Sequence, residues 1–88
     1  MIRVKIDKSF EKELRKLPAT LVKQTATRIA YLQEDPYHHL LHTKALSGKL
    51  AGLYSFRVTR DYRVIFGFID PGTIWLFRIS HRKDIYKG

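Results

Sequence analysis

Residues 53–79 read LYSFRVTRDYRVIFGFIDPGTIWLFRI, and this stretch decides the fold. It is rich in β-branched and aromatic residues, which are typical of strands in a half-buried sheet. Asp70-Pro71-Gly72 marks a turn, because proline presets one backbone dihedral and glycine accepts a positive φ. We therefore predict three consecutive strands, over residues 53–59, 62–69 and 73–79, with Phe56 and Trp75 in the core.

The turn between the first two strands determines which residues face each other. A three-residue turn over Thr59–Asp61 pairs Val58 with Tyr62 and Arg57 with Arg63. A two-residue turn would shift the register by one and bury one of the two arginines. Because burying an unpaired guanidinium is costly, we prefer the three-residue turn.

In that register two arginines oppose each other on the sheet face that points away from the helices. Like charges directly opposite destabilise a sheet, so an anion between Arg57 and Arg63 would offset the cost. This favours a phosphate site. The alternative is that each arginine pairs separately with a carboxylate or is simply solvated. The same face carries Ser55 and Ile65, the candidate carboxylates are Glu34, Asp61 and Asp70, and the helix-facing side carries Phe56, Val58, Tyr62, Val64 and Phe66.

A strand and a helical hairpin precede these strands. Residues 2–6 alternate apolar and basic side chains, as in a half-buried strand. Asp7 or Ser9 can cap a helix that ends at Pro18. A second helix then ends before Asp35-Pro36, because a residue before proline avoids the α region. The order β-α-α-β-β-β predicts an α+β fold with a small antiparallel sheet packed against the N-terminal helical hairpin.

Length and charge narrow the classes of function. The 88 residues suffice for a single domain, residues 1–88. Since the chain has no cysteine, disulfides, Cys-ligated zinc and a thiol nucleophile are excluded. The 17 Lys and Arg against 8 Asp and Glu give a net charge of +9. Such a balance favours a polyanionic partner, either nucleic acid or a strongly acidic protein.

The sequence carries no signal for a membrane. No apolar run approaches the ~18 residues of a transmembrane helix. The N-terminus MIRVKIDKSF lacks the apolar segment of a signal peptide. We therefore expect a cytoplasmic protein.

The C-terminal run His81–Tyr86 combines an imidazole, two cations and a phenol. A short further strand is predicted near residues 82–86. Histidine titrates near neutral pH, so His81 could move a proton while arginines hold a phosphate. Alternatively, His81 ends a strand and Tyr86 fills the edge of the core.

Three histidines lie close together at positions 38, 39 and 42. The spacing of His38 and His42 can bind zinc on a helix, but no carboxylate supports them, and we expect no metal. We interpret the segment as a surface loop from which one histidine could line an RNA groove. Lys44 and Lys49 follow and either extend the basic face toward a phosphate backbone or are ordinary solvated lysines.

Four segments resemble the RelE/ParE toxin superfamily. In chain order they are LSGK at 46–49, LYSFRV at 53–58, DYRVIF at 61–66 and ISHRKDIY at 79–86. The N-terminal strand and helical hairpin also match the superfamily, so the resemblance covers nearly the whole chain.

The resemblance implies a toxin from a type II toxin–antitoxin pair. RelE-like members bind in the ribosomal A site and cut the mRNA there. The ribose 2′-hydroxyl attacks the adjacent phosphate, and neither a metal nor another cofactor is required. The implied partners are a cognate antitoxin, the ribosome and mRNA.

Residue by residue, the resemblance implies five catalytic positions. Arg63 would hold the scissile phosphate, and Arg57 would stabilise negative charge. Arg82 would bind phosphate as well. His81 and Tyr86 would each act as acid or base, and Tyr86 could instead stack on a nucleobase. Ser55 stands where some relatives have a lysine. The expected RNA-binding residues are Lys44, Lys49 and Ser55.

Two other functions share this fold. Members of the ParE branch poison DNA gyrase, and a non-catalytic relative would only bind its antitoxin. The five catalytic positions, taken together, favour the RelE branch. The antitoxin is expected to be a short acidic or amphipathic chain that folds around the basic surface. DNA contacts normally come from the antitoxin, so we expect no sequence-specific DNA binding by this chain alone.

Overall fold

Two helices cover one face of a five-stranded sheet in the computed structural model, which describes residues 1–86. The strand order is β1-β5-β4-β3-β2. The predicted α+β fold with an N-terminal helical hairpin is confirmed. Two short 3₁₀ turns, His39–Leu41 and Gly48–Leu50, flank β2. The elements are β1 (Arg3–Ile6), α1 (Lys8–Arg15), α2 (Ala19–Glu34), β2 (Lys44–Ala45), β3 (Tyr54–Arg57), β4 (Tyr62–Asp70) and β5 (Thr73–His81).

The sheet is antiparallel except at β1. This strand runs parallel to β5, with Val4 opposite Ile74. A parallel pair needs a long crossover connection, and the helical hairpin and the following strands supply it. The sheet is therefore mixed, and the predicted antiparallel arrangement holds for β2 to β5.

Local signals set the ends of both helices. The Asp7 carboxylate accepts a hydrogen bond from the Ser9 backbone N–H at 3.0 Å, so Asp7 is the N-cap of α1. Pro18 occupies the N-cap position of α2. Asp35, which precedes Pro36, has an extended backbone and ends α2 as predicted. No helix in residues 1–86 is long and apolar enough to cross a bilayer.

The core lies between the helices and the sheet. Phe10 from α1 and Leu32 from α2 are fully buried against the apolar side chains of the strands. The predicted helix-facing residues Phe56, Val58, Val64 and Phe66 belong to this core. Tyr62 is partly buried and packs against it. The alternation of β3 and β4 therefore separates this core from the opposite face of the sheet, where Ser55 and Ile65 are also buried.

Two local predictions are wrong. Trp75 is only partly buried on the other face of the sheet, because its neighbours Ile74 and Leu76 are the ones buried in the helix-facing core. It stacks on Phe77 there, with ring centroids 6.0 Å apart. The predicted strand at 82–86 is a series of turns, in which the Ile85 N–H donates to the carbonyl of His81.

The sequence also missed β2. This strand has two residues, and both are exposed, so neither length nor apolar pattern signals it. Lys44 pairs with Ser55 and Ala45 with Tyr54. The pairing brings Lys44 to the edge of the sheet beside β3.

Glu13 connects α1 to β5 through hydrogen bonds. Its carboxylate accepts hydrogen bonds from the Arg78 Nη2 and from the Ile79 backbone N–H, both at 3.1 Å. We expect Glu13→Ala to lower the free energy of unfolding by about 1–3 kcal/mol, because a backbone donor loses its partner. Glu13→Gln should cost less, since an acceptor oxygen remains. Urea denaturation of each variant measures the difference.

Glu11→Ala is the matched control on the same helix. Glu11 pairs with Arg15 at an exposed i,i+4 position, where an ion pair contributes less than about 1 kcal/mol. Equal losses in the Glu11 and Glu13 variants would contradict the role given to Glu13.

Candidate functional site

The hairpin between β3 and β4 places two arginines side by side. Arg57 pairs with Arg63, as the three-residue turn predicts. The Val58 N–H donates to the Tyr62 carbonyl at 2.9 Å. The Thr59 hydroxyl accepts from the Tyr62 N–H at 3.2 Å and so holds the turn closed. The register argued from the cost of burying an arginine is confirmed.

The described residues provide neither arginine with a carboxylate partner. Within residues 1–86, neither Arg57 nor Arg63 forms an ion pair. Asp61, a candidate partner, lies instead 3.5 Å from the Nε of Arg82. Asp70 accepts from the Gly72 N–H in the turn between β4 and β5. The alternative of separate carboxylate partners is therefore not what the described residues adopt.

A pocket of about 170 Å³ lies beside the arginine pair, and we refer to it as the arginine pocket. β2 contributes one lining residue, β3 contributes two, β4 contributes one, and the loop before β2 and the C-terminal turn contribute one each. No carboxylate side chain of residues 1–86 lines it. The lining residues are His42, Lys44, Ser55, Arg57, Arg63 and Tyr86.

The C-terminal turn carries Tyr86 to this pocket. Ile85 is buried and anchors the turn, whereas Tyr86 is 46% exposed. The Tyr86 hydroxyl donates to the Ser55 Oγ at 3.3 Å. The alternative interpretation of this segment holds for His81, which ends β5. It does not hold for Tyr86, because Ile85 is the buried residue and the phenol lies at the pocket.

His42 is the histidine that the sequence could not single out. It is the one non-glycine residue of residues 1–86 with a positive φ, at φ 49° and ψ 45°. A left-handed backbone costs a non-glycine residue on the order of 1 kcal/mol or more, and such strain often occurs at functional sites. This conformation ends the 3₁₀ turn after the buried Leu41 and places the imidazole in the pocket lining.

The other two histidines of the loop have packing roles. The His38 ring stacks on Tyr31 at 4.5 Å, and its Nδ1 accepts from the Leu40 N–H. His39 stacks in turn on His38 at 4.7 Å. Within residues 1–86, no group of three or more metal-ligating side chains is present.

His81 and Arg82 lie outside the lining of the arginine pocket. His81 is two residues after the buried Ile79, so strand alternation turns it toward the helix-facing side. Its ring contacts Tyr62 edge-on at 5.6 Å, and its Nδ1 accepts from the Lys83 N–H. Arg82 faces Asp61. The structure brings together Arg57, Arg63 and Tyr86 of the five predicted catalytic residues.

Two further pockets adjoin the arginine pocket through different lining residues. One of about 390 Å³ shares Lys44 and Tyr86 with it and reaches Lys49. The other, of about 180 Å³, shares His42 and Arg57 with it. We refer to the three together as the basic groove. No Asp or Glu of residues 1–86 lines any of the three.

Fold and site together define a small, basic α+β protein whose groove is lined by cationic and neutral side chains of the described residues. The family model for the ParE toxin of type II toxin–antitoxin systems matches residues 4–86. The chain therefore belongs to this toxin family, within the RelE/ParE superfamily that its motifs indicate.

Solved structures agree with this assignment. The RelE–RelB complex from Pyrococcus horikoshii matches with 27% identity and a TM-score of 0.78, over 94% of this chain and 97% of that one. A RelBE2 toxin–antitoxin complex from Mycobacterium tuberculosis matches with 26% identity and a TM-score of 0.78, over 94% and 93%.

The fold also extends to more distant proteins. YafQ from E. coli has the same fold with 11% identity and a TM-score of 0.80, over 98% of this chain and 99% of that one. No curated protein sequence matches significantly. The residues of the basic groove are therefore the basis for inferring which reaction this toxin carries out.

Proposed function

We propose that this toxin is a ribosome-dependent mRNA endonuclease that inhibits translation by cutting mRNA in the A site. The observation that supports this proposal is the arginine pocket. Two guanidiniums, an ammonium, an imidazole and a phenol line it, and no carboxylate of residues 1–86 does. A site of this composition attracts a phosphodiester and can transfer protons around it.

The proposed reaction is an internal transesterification. The ribose 2′-oxygen bonds to phosphorus, and the bond from phosphorus to the 5′-oxygen breaks. One fragment ends in a 2′,3′-cyclic phosphate and the other begins with a 5′-hydroxyl. A base takes the proton of the 2′-hydroxyl, and an acid supplies one to the 5′-oxygen, so protons balance and no metal is needed.

The arginine pair supplies the electrostatic part of this reaction. The phosphorane that forms carries more negative charge on its oxygens than the starting phosphodiester. Arg57 and Arg63 are fixed opposite each other on adjacent strands, so their charges are in place before the reaction begins. Preorganised donors of this kind stabilise the transition state more than the ground state.

We assign the proton transfers to His42 and Tyr86. Histidine titrates near neutral pH and suits the base that takes the 2′-hydroxyl proton. The phenol suits the acid, and its hydrogen bond to Ser55 orients it. The resemblance suggested His81 for a proton-transfer role. We prefer His42 because, of the four histidines, all within residues 1–86, it is the one that lines the pocket.

The remainder of the groove contributes binding. Lys44 and Lys49 line its pocket of about 390 Å³, where they can contact the RNA backbone. Ser55 is almost fully buried and acts through Tyr86. In this proposal Arg82 and His81 have no contact with the scissile phosphate.

The proposed partners follow from charge and from the relatives. The relatives from P. horikoshii and M. tuberculosis were solved as toxin–antitoxin complexes. We infer that an antitoxin likewise covers this chain, whose net charge is +9, and keeps it from the ribosome. Its place of action is the cytoplasm, where mRNA is translated.

The ends of the cleaved mRNA test the mechanism. Purified protein is added to a reconstituted translation mixture, and the fragments are recovered. We expect 5′-hydroxyl ends, which accept label from polynucleotide kinase directly. We expect 3′ ends that are tailed by poly(A) polymerase only after the cyclic phosphate is removed. Fragments with a 5′-phosphate would contradict the reaction.

His42→Asn tests the proposed base. Asparagine tolerates the left-handed backbone, so the variant should fold like the wild type. We expect cleavage to fall about 100-fold, the lower range for loss of a general base, and the acidic limb of the pH–rate profile to disappear. Single-turnover cleavage rates across pH measure both effects.

His39→Asn is the matched control, since His39 is exposed and lies outside the pocket. It should cleave at the wild-type rate with the wild-type pH profile. Full activity of His42→Asn would remove His42 from the mechanism.

The alternative is inhibition of DNA gyrase, which the ParE name of the matching family model favours. A supercoiling assay with purified gyrase separates the two functions. We expect supercoiling to continue in the presence of this protein. Inhibited gyrase together with intact mRNA would establish the alternative. If both gyrase and mRNA were unaffected, the chain would be a relative that only binds its antitoxin.

A further inference from the structure

We propose that Arg28 and Arg60, together with Arg57 and His42, form a second phosphate subsite that binds the RNA phosphodiester next to the scissile one. This inference rests on the proposed function, because it assumes an RNA strand in the arginine pocket. The subsite is the pocket of about 180 Å³ that shares His42 and Arg57 with the arginine pocket.

Arg28 reaches this pocket in a fixed orientation. It lies on α2, where its Nε donates to the Val58 carbonyl at 3.2 Å and its Nη1 to the Leu40 carbonyl at 3.1 Å. Its guanidinium also lies 5.8 Å from the centre of the Tyr31 ring. These partners are neutral, so they hold the side chain without cancelling its charge. A guanidinium has five N–H donors, and the others stay available for an anion.

Arg60 supplies the second charge from the turn between β3 and β4. It is exposed and forms no ion pair within residues 1–86. The acidic group next to it in the chain, Asp61, faces Arg82 instead. The Thr59 hydroxyl accepts from the Asp61 and Tyr62 N–H groups and fixes the turn that presents Arg60.

The position of this pocket favours a strand of RNA over a lone anion. It shares Arg57 and His42 with the arginine pocket, so the two adjoin. Phosphates recur along a single strand, and a groove with adjoining cationic pockets matches that repeat. Arginine forks also fit the paired oxygens of a phosphodiester. An acidic peptide is the competing ligand and is an outcome of the test below.

Arginine side-chain NMR signals test the subsite directly. The probes are a 2′-O-methyl dinucleotide with one phosphodiester and a 2′-O-methyl trinucleotide with two, since neither can be cleaved. We expect the dinucleotide to shift the signals of Arg57 and Arg63. The trinucleotide should shift those of Arg28 and Arg60 as well. Arg3, on the opposite edge of the sheet, should respond to neither.

Each other outcome overturns the inference in a distinguishable way. The signals of Arg57 and Arg63 can shift while those of Arg28 and Arg60 stay unshifted, like that of Arg3. In that case the second subsite is absent, and the proposed cleavage site is still supported. If none of the four arginines responds, the arginine pocket does not bind RNA, and both the second subsite and the proposed cleavage site are contradicted. If a hexaglutamate peptide shifts Arg28 and Arg60 at lower concentration than the trinucleotide does, the pocket is a protein-binding site.

Arg60→Gln tests whether the second subsite contributes to mRNA cleavage. We expect kcat/KM for mRNA cleavage to fall about three- to tenfold, mainly through KM, with an unchanged pH profile, because a phosphate contact contributes binding and not chemistry. Arg3→Gln makes the same charge change on an exposed residue at the other sheet edge and should leave kcat/KM within about twofold. Equal losses of kcat/KM in the two variants would show that the effect comes from net charge and not from a phosphate contact of Arg60.

Discussion

Arg63→Ala is expected to lower mRNA cleavage by at least about 100-fold, the loss typical for one preorganised charge at a transition state. The side chain lines the arginine pocket and forms no ion pair within residues 1–86. It also faces Arg57 directly, so its removal relieves a like-charge contact in the sheet. Folding should therefore tolerate the change, with the free energy of unfolding within about 1 kcal/mol of the wild type.

The combination of lost cleavage and retained fold is what distinguishes a site residue from a structural one. Arg15→Ala is the control for charge, because Arg15 is exposed on α1 and pairs only with its own helix. It should cleave normally. An Arg63→Ala protein that unfolds would assign Arg63 to stability, and one that cleaves normally would remove it from the mechanism.

Phe56→Ala should have the opposite signature. Phe56 is fully buried in the core, and its ring centroid lies 5.9 Å from that of Phe66. Truncation of a buried phenylalanine typically costs about 3–5 kcal/mol. A domain of this size has roughly 5–15 kcal/mol of total stability, so the truncation should remove between about a fifth and all of it. Urea and thermal unfolding followed by circular dichroism measure the loss.

Phe68→Ala provides the matched control on β4. Phe68 has the same side chain but is 38% exposed. Its loss should cost less than half as much, because less apolar surface returns to water and any cavity is open to solvent. Similar losses of unfolding free energy in the two variants would contradict the position of the core between the helices and the sheet.

Local patterns predicted most of the fold. The turn residues and the cost of a buried arginine determined the β3–β4 register, and capping and proline rules determined the helix ends. The position of β1 beside β5 depends on a contact between the two ends of the chain, which no local pattern encodes. The prediction for Trp75 is wrong because strand alternation places its side chain on the face opposite the helix-facing core.

Sequence patterns predicted the arginine pocket only for residues whose positions are determined by strand pairing. Register alone brought Arg57 and Arg63 together. His42 depends on a left-handed residue at the end of a 3₁₀ turn, and nothing in the sequence distinguishes it from His38 and His39. His81 ends β5 on the helix-facing side, two residues after the buried Ile79, whereas Arg57 and Arg63 lie on the other face of the sheet. His81 therefore lies outside the arginine pocket, and the imidazole that lines the pocket is that of His42.

The most direct test of the central claim is primer extension on an mRNA in a reconstituted translation mixture, with the wild-type protein and with Arg63→Ala. We predict new 5′ ends inside codons positioned in the ribosomal A site, absent when ribosomes are omitted and absent with the variant. Intact mRNA with the wild-type protein, or the same cuts with Arg63→Ala, would contradict the account.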